Sequence, residues 1–396
     1  MLSRLLSDRE SLISIIAQAL NLILPMIVMF MIYEKEGAQS VVDFEIVLSL
    51  VAFFSILQDY STSYLLSGYR FHKNVLFKYF LTLLVFKQLN ALFCLIILVL
   101  FYFSFGNSFE LYFTAGIIIF LASFDIPLGF FSRGLSFIHA FLYALRTLVC
   151  VSLICFGISA LDALVVSYIF LAFSIVLFYI KVSKVFFSIS TRSIRLFYRK
   201  LKLPTLTEGI TALFSQLDAY LVSLVASEKT ILLYVTVRKF VRAVNVFTNY
   251  LLRIGYTRFI RNEESWIIPT CLVMVISVIA LIFLVFWGPT AFAYLFPNGE
   301  VFQGLTILFV VQSSILVVGA FKGFVRNFDL LANQKYTQHL VYTCMSGLIF
   351  LLPLILAYIL KTEYSAVELS VIRVIADITY IFFWALVLFF IKRVSK

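Results

Sequence analysis

The sequence predicts an all-α polytopic membrane protein of twelve transmembrane helices in two six-helix bundles, with both termini cytoplasmic. Three observations predict it. Of 396 residues, 63 % are hydrophobic and 13 % charged, where soluble domains are about 45–50 % apolar and roughly 25 % charged. The apolar residues fall into runs near the ~20 residues that a helix needs to cross a bilayer. The Lys and Arg residues gather in alternate connections between those runs, as the positive-inside bias requires.

In chain order, the runs place spans at 12–32, 43–66, 79–103, 111–131, 136–157 and 160–180, then at 205–227, 230–252, 267–287, 302–321, 337–359 and 368–391. Gly157, Ser159 and Asp162 punctuate the long apolar run 136–180. Trp287, Gly288, Pro289, Pro297 and Gly299 are turn formers that predict a break after 285. Pro25 and Pro353 fall inside spans and are expected to kink them. Between the halves lies KVSKVFFSISTRSIRLFYRKLK, 181–202, with seven Lys and Arg and no carboxylate. The expected organisation is a bundle at 1–180, a basic cytoplasmic linker at 181–204 and a second bundle at 205–396. The linker is expected either as an interfacial helix on anionic lipid or as a solvated loop.

Charge tests the count. With the central segment cytoplasmic, the inner connections and termini collect 22 positive residues. They include Arg4, Arg9, Arg70, Lys73, Lys78, Arg133, Arg253, Arg258, Arg261, Lys322, Arg326 and Lys335. The outer connections hold only Lys35, Lys229 and Lys361. One misplaced span would invert every later loop, so this bias supports six spans on each side of the linker. The net charge of +11 is explained by topology and anionic lipid, and no nucleic-acid-binding face is expected.

Six positive residues fall inside spans: Lys87, Arg146, Arg238, Lys239, Arg242 and Arg373. A charge at the bilayer centre is costly, so such groups face a cavity or a partner. Arg238 and Arg242 share a helix face, with Lys239 three residues before Arg242. Arg146, Arg238, Lys239, Arg242 and Lys87 are therefore the candidate substrate-binding residues. For Lys87 the competing expectation is that its ammonium snorkels to the headgroups. Arg373 is expected to pair with Asp377 four residues on. The deepest carboxylates, Asp218, Asp59 and Asp125, are candidates for coupling-ion binding or structural pairing. An excess of buried cations suits an anionic substrate, because Arg matches phosphate bidentately.

No Walker A, GxGxxG or HExxH pattern occurs, and no extramembrane domain interrupts the spans, so neither an enzyme nor a cofactor is expected. Cys94, Cys150, Cys155, Cys271 and Cys344 sit in apolar runs and are expected to be buried. His72, His139 and His339 are expected as interfacial polar residues.

The segment LFSQLDAYLVSLVASEKTILLYVTVRKFVRAVNVF within Leu206–Tyr256, together with FKGFVRNFDLLANQKYTQH over Phe321–His339, resembles the bacterial polysaccharide-repeat-unit flippases. These belong to the multidrug/oligosaccharidyl-lipid/polysaccharide exporter superfamily. Asp218 and Tyr234 stand at the matching positions, while Ala219 replaces a basic residue that many relatives carry. The resemblance implies a cationic cavity between two bundles that alternates between inward-open and outward-open states. It implies translocation of an undecaprenyl-pyrophosphate-linked oligosaccharide across the bacterial cytoplasmic (inner) membrane, with H⁺ or Na⁺ as coupling ion. Contact with a polysaccharide polymerase and a chain-length regulator goes with it. The open alternatives are a cation-coupled drug or small-metabolite antiporter, a peptidoglycan-precursor flippase, and a membrane polysaccharide polymerase or assembly protein.

Overall fold

A computed structural model describes residues 9–59, 80–105, 108–125, 136–182, 191–260, 267–295, 304–331 and 335–394. His72, Arg4, Arg70, Lys73, Lys78, Arg133, Arg261, Pro297 and Gly299 lie outside the described residues. The described chain is helical throughout. Its two compact units comprise Met1–Ala212 and Leu213–Lys396.

The first unit holds α1 (Arg9–Glu36), α2 (Ala38–Asp59), α3 (Phe80–Phe105), α4 (Phe109–Ala122), α5 (Ser136–Cys155), α6 (Ala160–Val182) and most of α7 (Thr191–Ser215). Helix α1 packs along α5, and α2 packs against α3 and α4. Gly37 ends α1 in the left-handed region (φ 92°), where a side chain would be strained. Its N–H donates to Ile32 O at 3.2 Å and to Tyr33 O at 3.1 Å. Gly157 (φ 86°) turns the chain between α5 and α6, at the punctuation read from the sequence. The two residues before Gly37 tie this second turn down. Lys35 Nζ donates to the last carbonyls of α5, Ile154 O (2.8 Å) and Cys155 O (2.9 Å). The Glu36 carboxylate accepts the Ala160 N–H at 2.8 Å, at the start of α6. A cation thus meets the negative end of one helix and an anion the positive end of the next. Ser159 caps α6, accepting the Asp162 N–H at Oγ (3.2 Å) while its hydroxyl donates to Asp162 Oδ2 (2.7 Å).

The second unit holds the end of α7, α8 (Asp218–Ser223), α9 (Glu228–Ile260), α10 (Ile267–Leu295), α11 (Leu305–Phe324), a π-helical turn (Val325–Leu331), α12 (Tyr336–Leu360) and α13 (Ala366–Val394). Helix α11 is central, packing against α9, α10 and α13, while α12 packs on α13. Ser365 and Glu368 form a capping box at the start of α13.

Eight helices among the described residues are long and apolar enough to cross a membrane: α2, α3, α5, α6, α10, α11, α12 and α13. Helix α4 is apolar but shorter. Large apolar side chains such as Phe93, Phe103, Phe283, Trp287 and Phe389 stand exposed on these helices. Lipid is the solvent that such surfaces require. The chain is a multi-pass, all-α membrane protein.

Three expectations need correction. The break after 285 does not occur: α10 runs through Gly288 and Pro289 to Leu295. Proline costs a membrane helix only one hydrogen bond, which local adjustment can restore. Conversely, the span expected at 205–227 is not continuous. Helix α7 begins at Thr191, inside the expected linker, and ends at Ser215, and the short α8 follows from Asp218. Of the cysteines expected to be buried, Cys94 and Cys150 are, whereas Cys155 and Cys271 are exposed; a thiol is apolar enough to face lipid.

Candidate functional site: paired charges inside the helices

In the first unit, α4 ends in a turn that delivers Asp125, whose N–H donates to Ala122 O at 3.1 Å. Lys87 of α3 is 7 % exposed. Its ammonium lies 2.6 Å from Asp59 Oδ1 at the end of α2 and also donates to the Asp125 carbonyl oxygen. The Lys87 side chain therefore does not snorkel: it is held by a carboxylate and a carbonyl. The Asp125 carboxylate accepts the Tyr143 hydroxyl at 2.5 Å and faces His139 Nε2 at 3.0 and 3.2 Å. His139 and Tyr143 are four apart on α5, so both reach the same acid. His139, near the start of α5, is thus a partner of a buried acid.

Arg146 lies on α5 three residues beyond Tyr143. Its guanidinium sits 5.2 Å from the Tyr143 ring centroid and 4.6 Å from that of Tyr168 on α6. It makes a long contact with Thr147 Oγ1, 3.4 Å. No carboxylate among the described residues pairs with it. Two aromatic faces hold the guanidinium, and a cation–π contact supplies only ~0.5–2 kcal/mol. A polar seam runs beside this cluster: Gln58 Nε2 donates to Ile119 O (2.8 Å), Asn90 Nδ2 to Gln58 O (3.1 Å), and Tyr198 OH to Asn90 Oδ1 (2.7 Å).

In the second unit the site forms where α7 and α8 separate. The break leaves carbonyls at the end of α7 without helical partners, and Arg238 of α9 donates to Ser215 O at 2.5 Å. The same guanidinium pairs with Asp218, which is 1 % exposed. Tyr234, one turn earlier on α9, places its hydroxyl 3.4 Å from Asp218 Oδ2. Arg242, one turn later and exposed, donates to Gln216 Oε1 at 2.6 Å. Lys239 is half-buried beside them. The structure thus brings Asp218, Arg238 and Arg242 together around Gln216–Asp218.

A second cluster lies on α11 and α13. Asp377 accepts Lys322 at 2.5 Å and lies 3.5 Å from Arg373 Nε. Lys322 is also 5.1 Å from the Tyr380 ring centroid. The Tyr380 hydroxyl is 2.9 Å from Nδ1 of His339, which is 2 % exposed. His339 is buried at the start of α12, and Lys322 belongs to α11 rather than to a connection. On the π-helical turn, Asp329 accepts Trp384 Nε1 and Lys335 Nζ, each at 2.8 Å. Among the described residues no group of three or more His, Cys, Asp and Glu is placed to hold a metal ion.

Sequence reasoning missed His139, Tyr143, Lys322 and Asp329. The four-residue spacing of His139 and Tyr143 on α5 was a readable signal. Nothing in the sequence marks Lys322 as facing Asp377, since the two are 55 positions apart.

No family model matches the chain, and no curated protein does. Solved structures do. The lipid II flippase MurJ, in an inward closed conformation, superposes with a TM-score of 0.70 at 13 % identity, covering 96 % of this chain and 87 % of that one. A MATE protein in complex with MaL6 gives 0.66 at 14 % identity, with 98 % and 97 % covered. An inward-facing multidrug resistance MATE family transporter of the MOP superfamily gives 0.64 at 13 % identity, with 96 % and 94 % covered. At this identity the likeness establishes one thing, that the chain has the fold shared by MATE and MurJ.

Proposed function

We propose that the chain is a secondary transporter of the bacterial cytoplasmic membrane. Its twelve spans form two six-helix bundles, 1–180 and 205–396, joined by the basic segment 181–204, and it works by alternating access. The observation that carries this reading is the set of carboxylates held inside helices by basic partners: Asp59 with Lys87, Asp218 with Arg238, and Asp377 with Lys322 and Arg373. A buried ion pair is a poor stabiliser, because desolvation consumes most of its Coulombic gain. Ionisable residues within membrane helices mark ion and substrate pathways. A proton or Na⁺ that reaches such a carboxylate competes with the basic partner, which then becomes free to bind or release cargo.

The likeness to MATE structures favours a cation-coupled drug or small-metabolite antiporter. A second reading, flipping of an undecaprenyl-pyrophosphate-linked oligosaccharide beside a polymerase and chain-length regulator, is favoured by Arg146. That guanidinium has aromatic faces but no counter-ion, and pyrophosphate would supply one.

The test uses the full chain in proteoliposomes under an imposed H⁺ or Na⁺ gradient, with ethidium as cargo. Gradient-dependent extrusion that Asp218→Asn abolishes is the expected result for the antiporter. If ethidium never moves, while deletion of the gene accumulates lipid-linked repeat unit on the inner leaflet and Arg146→Ala fails to restore it, the second reading replaces the first. Neither activity would sink the transporter reading.

A further inference from the structure

The basic segment between the bundles is absorbed by neither cargo reading. Its second part forms the start of α7, and its contacts divide that helix into two faces. Phe197 packs edge-on to Phe86 of α3 at 5.7 Å between centroids, and the Tyr198 ring lies 4.7 Å from the same residue. Tyr198 also donates to Asn90 Oδ1 at 2.7 Å, and Leu201 is buried. On the other side Arg195, Arg199, Lys202 and Leu206 are exposed. Their spacing of four, three and four residues keeps them on one stripe of a 3.6-residue helix. Exposed Leu196 borders that stripe. No carboxylate among the described residues pairs with any of the three cations.

Depth in the membrane follows from the packing partner. The apolar stretch of α3 that can cross a bilayer begins at Thr82. Phe86 is about one turn, and Asn90 about two turns, inside that start. A helix fastened to Phe86 and Asn90 through Phe197 and Tyr198 therefore runs beside the first turns of that stretch, from which long basic side chains reach headgroup level. Basic side chains at that level, next to exposed leucines, have the arrangement of an interfacial helix.

We propose that the Arg195–Arg199–Lys202 stripe docks on the anionic lipid headgroups of the leaflet into which α3 opens. Leu196 and Leu206 enter the acyl boundary, and the Phe197–Tyr198 face holds the helix to α3. Charge complementarity selects this occupant: three cations without a carboxylate partner among the described residues meet a leaflet whose anionic lipids attract basic side chains near its surface. This inference requires only that the chain spans a membrane, so it survives failure of either cargo reading.

The experiment measures lipid retained by the full-length purified chain from phosphatidylglycerol/phosphatidylcholine nanodiscs, by native mass spectrometry. Wild type is expected to retain phosphatidylglycerol preferentially, with the preference weakening as salt is raised. Each Gln substitution among R195Q, R199Q and K202Q is expected to reduce the preference about fivefold, the equivalent of ~1 kcal/mol per basic residue. The charge-conserving variant R195K/R199K keeps the preference if charge is the cause, and it serves as the folded control if the triple Gln variant is lost from the membrane. Equal retention of the two lipids by wild type overturns the proposal. So does a preference that raised salt leaves intact, or one that R195K/R199K abolishes. Displacement of phosphatidylglycerol by an acidic peptide without any preference between the lipids would assign the stripe to a protein partner instead.

Discussion

In the first unit the buried carboxylate of Asp125 is held by a histidine and a tyrosine, whereas in the second Asp218 and Asp377 are held by Arg238, Arg373 and Lys322. The chemistry of the partners separates the two regions. A tyrosine hydroxyl is neutral, and an imidazole nitrogen can donate or accept a hydrogen bond, so neutralising Asp125 leaves its partners able to hydrogen-bond. Guanidinium stays protonated, so neutralising Asp377 strands two positive groups among Tyr380, Phe350 and the α11–α13 contact. Asp218 and Asp377 thus lie against partners that stay charged, as does Asp59 of the first unit against Lys87, whereas Asp125 lies against a hydroxyl and an imidazole.

The comparison breaks most directly at Asp377. Asp377→Asn is expected to cost about 3–5 kcal/mol, as removal of one partner from a buried pair does. Asp125→Asn should cost much less, because the amide oxygen still accepts from Tyr143 and the amide can still hydrogen-bond to the His139 ring nitrogen. Thermal unfolding of both variants in the same detergent checks this. Equal losses would erase the distinction between the two regions.

Packing offers a second contrast, with a smaller expected effect. A Cβ added to Gly288 of α10 would overlap the ring of Phe309 on α11, which is fully buried and itself packed edge-on against Phe240. A Cβ added to Gly209 of α7 meets only Leu57 Cδ2, the end of a flexible side chain, at 3.0 Å. Gly288→Ala is therefore expected to cost about 1–3 kcal/mol through overpacking, and G288A/F309L should recover much of it. Gly209→Ala should be near neutral, since alanine's better helix propensity, worth roughly 1 kcal/mol over glycine, offsets the contact. Melting temperatures of the three variants decide the matter, and a costly Gly209→Ala would refute the contrast.

Gly288 also shows why part of the fold was legible in the sequence and part was not. Hydropathy finds spans because a bilayer demands length and apolarity, and most helix edges lie within a few residues of those read from the sequence. It fails where local chemistry and tertiary demand disagree. Gly288 and Pro289 read as a break, yet the close approach to Phe309 uses the glycine to continue the helix. Gln216 and Leu217 carry no breaking signal, yet α7 stops there, and Arg238 takes up a freed carbonyl. The pairs are the least legible part. Periodicity on one helix brings out Arg373–Asp377 and Arg238–Arg242, but Lys322–Asp377 and Lys87–Asp59 depend on which helices become neighbours. A charge count cannot distinguish a cation awaiting substrate from one already satisfied. Arg146 keeps, in the structure, no carboxylate partner among the described residues, whereas Lys87 and Arg238 of the same set are paired.

Arg146 depends on Tyr143, which performs two tasks at once, and substitution can separate them. Tyr143→Phe removes the hydroxyl that donates to Asp125 but keeps the ring beneath the guanidinium. The expected loss is about 1.5 kcal/mol, the low end for a hydrogen bond to a charged group. Tyr143→Leu removes the ring as well and should cost a further ~0.5–1 kcal/mol, softened by the Tyr168 face that remains. Transport should divide differently from stability. If the hydroxyl positions the Asp125 carboxylate for coupling, Phe slows gradient-driven transport and leaves cargo affinity unchanged. If the ring holds Arg146 ready for an anion, only Leu weakens cargo binding. A Phe variant with an unchanged transport rate, or a Leu variant with unchanged cargo affinity, would show that the corresponding contact is packing alone, and the first unit would then resemble the second after all.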